Sequence, residues 1–261
     1  MKCSRILLLI SLLFTSSLCF GKEYSNAQIQ ELTRSIINKN IETETALELL
    51  KKISDPNVKT PKGVPLLCLA AYHNRVDLVK ALIEKDVNPD LEDRKGRTAL
   101  FMASARGYLP IVKELTNPNL GKYVNLSGPE PISYSRRADL NAQDKEGYSP
   151  LHMAVSGGHQ AVVEELLSLG ANIDVQLQVG ATPLMQASHD GNLDLVRLLV
   201  SYNADPSLET NNGMTALKLA SARQHHSVVE FLKSSKTTVS NPEFEKNRQP
   251  PRKLNSPNKK P

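Results

Sequence analysis

A glycine-led string of eight residues recurs five times in this 261-residue chain, and its spacing constrains the fold more than any other feature. In the third copy the string reads Gly-Tyr-Ser-Pro-Leu-His-Met-Ala, at residues 147–154. A fixed period of about 20–50 residues is typical of stacked repeat architectures. The intervals are 33, 51, 33 and 33 residues, and the copies begin at Gly63, Gly96, Gly147, Gly180 and Gly213. Because 51 exceeds 33 by 18, we interpret the second unit as a repeat with an insertion.

The residues within each unit predict two short helices. In the third unit a second apolar block, formed by Val163, Leu166 and Leu167, falls on one helical face. Ser149 can accept a free backbone N–H at the start of the first helix, and Pro150 suits a first-turn position. Thr182 and Pro183 have the same roles at the start of a helix in the fourth unit. Glycines that allow the left-handed turn at the end of a helix are Gly107, Gly158, Gly170 and Gly191.

These strings closely resemble the ankyrin repeat. The motifs that carry the resemblance are Ser-Pro-Leu-His at 149–152, Gly-His at 158–159, Val-Val-Glu-Glu-Leu-Leu at 162–167 and Gly-Ala-Asn at 170–172. The resemblance implies an all-α solenoid of helix-turn-helix units with projecting hairpin loops. Within residues 59–234 we place the five units near residues 60–92, 93–143, 144–176, 177–209 and 210–234. Leu177 replaces the aspartate of the family pattern, which predicts a looser hairpin in the fourth unit.

Residues 22–58 predict an N-terminal helical cap. Apolar residues at helical spacing indicate one helix around Leu32 and a second around Leu50. Asp55-Pro56 precedes Asn88-Pro89 by 33 residues, which is the period of the repeat. We therefore interpret this segment as a degenerate sixth repeat that caps the stack.

Residues 1–21 predict a secretory signal peptide. Lys2 and Arg5 precede an apolar run at residues 6–14, and the small residues Cys19 and Gly21 suit cleavage after Gly21. An uncleaved membrane anchor and lipidation of Cys19 are the alternatives. We expect export, with the mature protein periplasmic or secreted. After cleavage Cys68 is the one remaining cysteine, and its apolar surroundings predict a buried, unreactive thiol.

The net charge of +5 belongs to the ends of the chain. Residues 1–21 carry +2, residues 22–233 carry −2 and residues 234–261 carry +5. The charge therefore gives no support for a nucleic-acid-binding domain. Residues 235–261 are basic and proline-rich with few large hydrophobic side chains, which predicts a disordered tail.

The insertion at residues 117–135 contains prolines and glycines that exclude a long helix. A loop of this length is either functional or disordered. If it binds a partner, Tyr123 and Tyr134 are the expected contact residues.

The sequence offers no catalytic chemistry. His152 stands where the imidazole of an ankyrin repeat ties hairpin to helix through hydrogen bonds, and no histidine has metal-ligand spacing with Cys, Asp or Glu. A phosphate-binding glycine-rich loop and a nucleophile elbow are also missing from the sequence. We predict a protein that is not an enzyme, with no cofactor, metal or small-molecule substrate.

The family resemblance implies a protein-binding scaffold, whose contacts come from hairpin tips and first helices. We expect a monomer that binds an acidic protein across units two and three, with Tyr72 and Tyr148 as anchors. Alternatively, the basic side chains of the hairpin tips and first helices only form a solvated rim and bind no partner. An alternative function is a structural or envelope-tethered element attached through its basic tail. The candidate contact residues in the repeats are Tyr72, His73, Arg94, Lys95, Arg97, Arg106, Lys145, Tyr148, His189 and Arg223.

Overall fold

The computed structural model describes residues 26–38, 43–53, 55–117 and 137–235, which form twelve α-helices and no β-strand. The chain divides into two compact regions between Asp55 and Pro56. In the N-terminal region, α1 (Asn26–Ile37) packs against α2 (Thr43–Lys51). Leu32 and Leu50 are buried there, as the apolar spacing predicts. The assignment of this N-terminal region as a degenerate capping repeat stays a prediction.

The region that begins at Pro56 contains five pairs of helices, one pair in each repeat unit, which confirms the predicted all-α fold of helix-turn-helix repeats. The first helices of the pairs are α3 (Leu66–Tyr72), α5 (Ala99–Ala105), α7 (Pro150–Ser156), α9 (Pro183–Asp190) and α11 (Ala216–Ala222). The second helices are α4 (Val76–Glu84), α6 (Leu109–Thr116), α8 (Gln160–Ser168), α10 (Leu193–Ser201) and α12 (His226–Ser235).

Each first helix packs against the first helix of the next unit, and its own second helix packs beside it. One leucine of each second helix is almost completely buried at the same repeat position, namely Leu82, Leu115, Leu166, Leu199 and Leu232. Aliphatic side chains of this kind fill most of the core. Because a single pair could not bury both of its apolar faces, stability comes from the contacts between neighbouring units.

Hydroxyl side chains start four of the five first helices. Ser149 and Thr182 each accept a hydrogen bond from the backbone N–H three residues ahead, and Pro150 and Pro183 follow them in the first turn, as predicted. Thr98 and Thr215 cap α5 and α11 in the same way. The first unit has Pro65 at this position and therefore lacks a side-chain cap.

A left-handed residue ends each first helix, and histidines of the following units pack onto two of these turns. Gly107 has φ +69° and Gly191 has φ +72°. Nε2 of His225 lies 2.9 Å from the carbonyl oxygen of His189, and Nε2 of His159 lies 3.3 Å from that of Ala105. Each ring thereby covers the glycine turn of the preceding unit.

Replacing Gly191 with alanine is expected to destabilise the protein more than replacing Gly170. Both residues have positive φ, which costs an L-residue about 1–2 kcal/mol. A Cβ at Gly191 would also stand 2.5 Å from Nδ1 of His225, whereas one at Gly170 would meet nothing within 4 Å. Urea denaturation of the two variants measures the difference. Adding His225→Ala to Gly191→Ala should remove the part due to the clash, and equal losses in the two single variants would contradict this account.

Hydrogen bonds join the hairpins of neighbouring units. The backbone N–H of Lys145 donates to the carbonyl oxygen of Lys95, and that of Asn211 donates to Val179. Further from the tips, Asx side chains accept backbone N–H groups of the next unit in the pairs Asn57–Asn88, Asp90–Asp139, Asn141–Asn172 and Asp174–Asp205.

The fourth hairpin closes despite Leu177. The backbone N–H of Leu177 donates to Ala181 at 2.9 Å, and that of Gly180 donates to Leu177 at 2.8 Å. In the third unit the carboxylate of Asp144 also accepts hydrogen bonds from the backbone N–H groups of Glu146 and Tyr148, and leucine cannot accept such bonds. The departure therefore removes side-chain bonds and leaves the backbone turn in place.

The two ends of the insertion meet at one hydrogen bond. The backbone N–H of Ala138 donates to the carbonyl oxygen of Leu115 at 3.0 Å. The third and fourth units make the same bond between Ala171 and Leu166 and between Ala204 and Leu199. The repeat register thus resumes after the insertion, of which residues 118–135, including Tyr123 and Tyr134, lie outside the described part of the chain.

Exchanging residues 118–137 for Leu-Gly, the pair found at Leu169 and Gly170, is expected to leave the stack folded. The exchange restores the spacing of the third unit between the two hydrogen-bonded residues, and shorter loops cost less closure entropy. The melting temperature should stay the same or rise. Its collapse would show that the insertion contributes to the core.

Candidate protein-binding surface

One face of every first helix is accessible to solvent. The residue six positions after the leading glycine shares this face with the residues nine and ten positions after it, because it lies three and four residues before them. In α3 they are Leu69, Tyr72 and His73, of which Tyr72 is the most exposed. The corresponding residues of the other units are Met102, Ala105 and Arg106; Met153, Ser156 and Gly157; Gln186, His189 and Asp190; and Leu219, Ala222 and Arg223.

Tyr72 and Arg106 form a stacked pair between units one and two. The guanidinium carbon of Arg106 lies 4.0 Å from the centroid of the Tyr72 ring. The ring of His73 approaches the same tyrosine edge-on at 5.2 Å between centroids. The structure therefore brings together three of the residues proposed from the sequence, in a cluster where a cation already rests on an aromatic face.

The hairpin tips of units one to three are basic. Lys62, Arg94, Lys95 and Lys145 are all exposed, and none of them forms an ion pair with another described residue. Tips of units four and five carry instead the uncharged residues Gln178, Val179, Asn211 and Asn212. Positive charge is thus concentrated at one end of the row of tips, with Glu146 as the acidic exception.

Arg97 differs from its basic neighbours because its charge is balanced within the hairpin. Its Nε and Nη2 donate to Oδ2 of Asp93 at 2.9 and 2.6 Å. Oδ1 of Asp93 accepts the backbone N–H groups of Lys95 and Arg97. Burial raises the pKa of Asp93, but the hydrogen bonds from Arg97 and the backbone outweigh it and lower that pKa. Arg97 therefore stabilises the second hairpin, and replacing it with an acidic residue would remove the hydrogen bonds to Asp93 and destabilise the loop.

The other proposed contact residues lie apart from the Tyr72 cluster. Tyr148 is half-buried, with its ring edge-on to His152 at 6.1 Å. His189 lies 2.9 Å from Oδ1 of Asp190 in the fourth unit. Arg223 is exposed after α11 in the fifth unit.

His152 joins two neighbouring units through hydrogen bonds of its ring. Its Nδ1 accepts the backbone N–H of Ser149, so the proton of the neutral ring stands on Nε2, which lies 3.3 Å from the carbonyl oxygen of Ala181. Burial lowers the pKa of His152 to about 4, against the opposing effect of that hydrogen bond. The neutral ring completes a capping box and reaches the hairpin of the next unit.

Cys68 has the buried position that its apolar surroundings predict. Burial raises the pKa of its thiol to about 12, which leaves no reactive thiolate at neutral pH. In the described ranges, no three His, Cys, Asp or Glu residues are grouped so that they could bind a metal ion. Within the same part of the chain, every helix is too short or too polar to span a bilayer.

The sequence interpretation missed the apolar residues between the exposed ones. Leu69, Met102 and Met153 occupy the same repeat position on the accessible face of α3, α5 and α7, while the fourth unit has Gln186 there. Leu69 and Met153 are half-buried and Met102 is 6% exposed. The signal for them was the repeat alignment itself, because the position lies one turn before Tyr72.

Comparison with protein-family models identifies the repeats. A model described as ankyrin repeats in three copies matches residues 33–127 and 162–242, and a single-repeat model matches residues 146–176. Together these matches include most of the chain.

Individual relatives are similar over parts of the chain. NF-kappa-B inhibitor alpha of Sus scrofa is 32% identical over 108 residues, which cover 41% of this chain and 31% of the relative. Ankyrin repeat-containing protein ITN1 of Arabidopsis thaliana is 35% identical over 95 residues, 36% of this chain and 12% of the relative. A protein of Rickettsia bellii named for its ankyrin repeats is 32% identical over 124 residues, 48% of this chain and 60% of the relative.

Proposed function

This chain belongs to the ankyrin repeat family, and on that premise we propose that it is a non-enzymatic scaffold that binds a protein partner. The family is typically non-enzymatic. One relative is by its name an inhibitor of NF-kappa-B, which supports an action through binding to another macromolecule. The contacts come from the hairpin tips and the exposed face of the first helices.

The partner presents an acidic surface to units one to three. The observation that carries this proposal is the group of exposed basic tip residues without ion pairs among the described residues, next to the Tyr72–Arg106 stack. Arg97, by contrast, is paired with Asp93 within its own hairpin and is not part of this group. Opposed charges chiefly accelerate association, so binding should weaken as salt rises.

Affinity capture by the mature protein tests the scaffold function. The bait is incubated with an extract of the extracytoplasmic compartment of the producing cell, and retained proteins are identified by mass spectrometry. A second bait lacks residues 236–261. Retention of the same protein by both baits supports a scaffold that acts through its repeats. Attachment that depends on those last residues would favour the tethered alternative, and absence of any specific protein would refute the scaffold.

We also propose that the protein is exported after cleavage of residues 1–21. The charged start, the short apolar run and the small residues at Cys19 and Gly21 support this proposal. The mass of the protein purified from the producing cell is expected to correspond to a chain that begins at Lys22. A mass that includes Met1, together with recovery in the cytoplasm, would contradict export.

A further inference from the structure

We infer that units one to three bind a short partner segment that combines acidic with apolar side chains, anchored at the Tyr72–Arg106 stack. This inference rests on the proposed scaffold function and names the chemistry of its ligand. Three features of the accessible face carry it: an apolar row, a basic rim and a preformed aromatic–cation pair.

The apolar row lies along the first helices. Leu69 and Met153 are half-buried at one repeat position of units one and three, and Met102, at the same position of unit two, is 6% exposed between them. Methionine side chains are flexible and polarisable and adapt to varied apolar surfaces. Gln186 interrupts the row in the fourth unit. Apolar side chains of a ligand are therefore best accommodated on the first three units.

The basic rim has the same extent. Exposed lysine or arginine side chains stand on the tips of units one, two and three, at Lys62, Arg94, Lys95 and Lys145. In the fourth unit the accessible charge is acidic and internally bonded, because Asp190 accepts one hydrogen bond from Gln186 and contacts His189. An acidic ligand that continued onto the fourth unit would thus meet a carboxylate, so the charge pattern limits it to units one to three.

The Tyr72–Arg106 stack supplies an anchor within this region. Arginine presents a planar set of N–H donors that suits a carboxylate, and in this protein Arg106 has no ion pair with another described residue. The contact with Tyr72 holds the guanidinium in place before a ligand arrives, which reduces the entropy lost on binding. Tyr72, which is 40% exposed, adds an aromatic surface for the apolar part of the ligand.

The geometry sets the length of the segment. Neighbouring packed helices lie about 8–10 Å apart, so three first helices extend over roughly 20 Å. An extended peptide rises about 3.3 Å per residue and covers that distance with about six residues. The apolar row distinguishes this ligand from nucleic acid, whose phosphates would use the rim and leave the row without a partner.

Selection from a displayed library of random peptides of about twelve residues, roughly twice the required length, tests the inference on the full chain. The enriched pool is expected to gain Asp and Glu together with Leu, Ile, Phe or Met relative to the starting library. Binding of a synthetic peptide from that pool is then measured by fluorescence anisotropy at roughly 0.05 and 0.5 M salt. We expect weaker binding at the higher salt concentration and no competition from single-stranded DNA.

Matched variants locate the site. Tyr72→Ala and Arg106→Ala are each expected to weaken the peptide about tenfold, as truncation of an anchor residue does. The controls are Tyr202→Ala, where a tyrosine of similar exposure (39%) follows α10, and Arg197→Ala, where an exposed arginine of α10 lies 5.3 Å from the centroid of the Phe231 ring. The controls should leave the affinity within about twofold. All four side chains are exposed, and unchanged melting temperatures verify folding.

Three results would overturn the inference: no enriched peptides, enrichment without acidic residues, or equal effects of the Tyr72 and Tyr202 variants. Efficient competition by DNA would likewise replace the peptide ligand with a nucleic acid. If affinity capture still retains a protein in any of these cases, the scaffold function stands and only the identity of its binding segment is lost.

Discussion

Replacing Leu166 with alanine is expected to lower the free energy of unfolding by about 2–5 kcal/mol. Leu166 is 0% exposed and lies in α8, the second helix of unit three. Helix α8 packs against both α7 of the same unit and α6 of the preceding unit. Truncation removes buried methyl groups and leaves a cavity that closely packed neighbours fill only in part. Urea denaturation followed by far-ultraviolet circular dichroism measures the loss.

Two other leucines serve as controls for Leu166. Leu232 occupies the same repeat position in the last unit, which has a neighbouring repeat on one side only within the described residues. Its replacement should cost less, because the fraying terminal unit contributes less to the stack. Leu198 is half-buried in α10, and its replacement should have a smaller effect still. Equal losses at all three positions would refute a stack stabilised by contacts between its units.

Stability is expected to fall by up to roughly 3 kcal/mol as the pH drops from 6.5 to about 4, because of His152 alone. The folded protein keeps this ring neutral down to pH about 4, whereas the unfolded chain protonates it near pH 6.5. Between these values the unfolded state binds the additional proton. The stabilising contribution is therefore complete above pH 6.5 and is lost progressively below it.

The variant His152→Met isolates this effect from the titration of carboxylates. Met185 occupies the same repeat position in unit four and is buried there, so the side chain suits the site. The variant should be less stable than the parent at pH 7, because it loses the hydrogen bonds to Ser149 and Ala181. The stability difference between parent and variant should shrink between pH 6.5 and 4. A constant difference over this range would show that His152 titrates normally.

The period of the sequence predicts most of this fold. Glycine, hydroxyl caps and apolar blocks recur at fixed positions, and each acts on its own helix or turn. Ser149 and Gly191 therefore have the predicted roles, since a cap and a left-handed turn depend on residues within a few positions. The all-α architecture follows from local signals that agree with one another.

The candidate surface was less predictable because it depends on contacts between units. Tyr72 and Arg106 are 34 residues apart, and only the stacking of α3 on α5 brings the guanidinium over the ring. The pairing of Arg97 with Asp93 was also missed, although these residues are four apart. Composition counts Arg97 as a free charge, whereas the hairpin geometry directs both of its donating nitrogens to a buried carboxylate.

The hydrogen bonds between hairpins have a consequence for the kinetics of folding. Most of these Asx bonds join residues 31 positions apart, but the bond between Asp90 and Asp139 joins residues 49 positions apart. Closing the longer loop costs about 0.4 kcal/mol more entropy, which slows that step about twofold. A stack of this kind folds by nucleating on a few units and extending to their neighbours. Extension across the insertion is therefore the slowest such step.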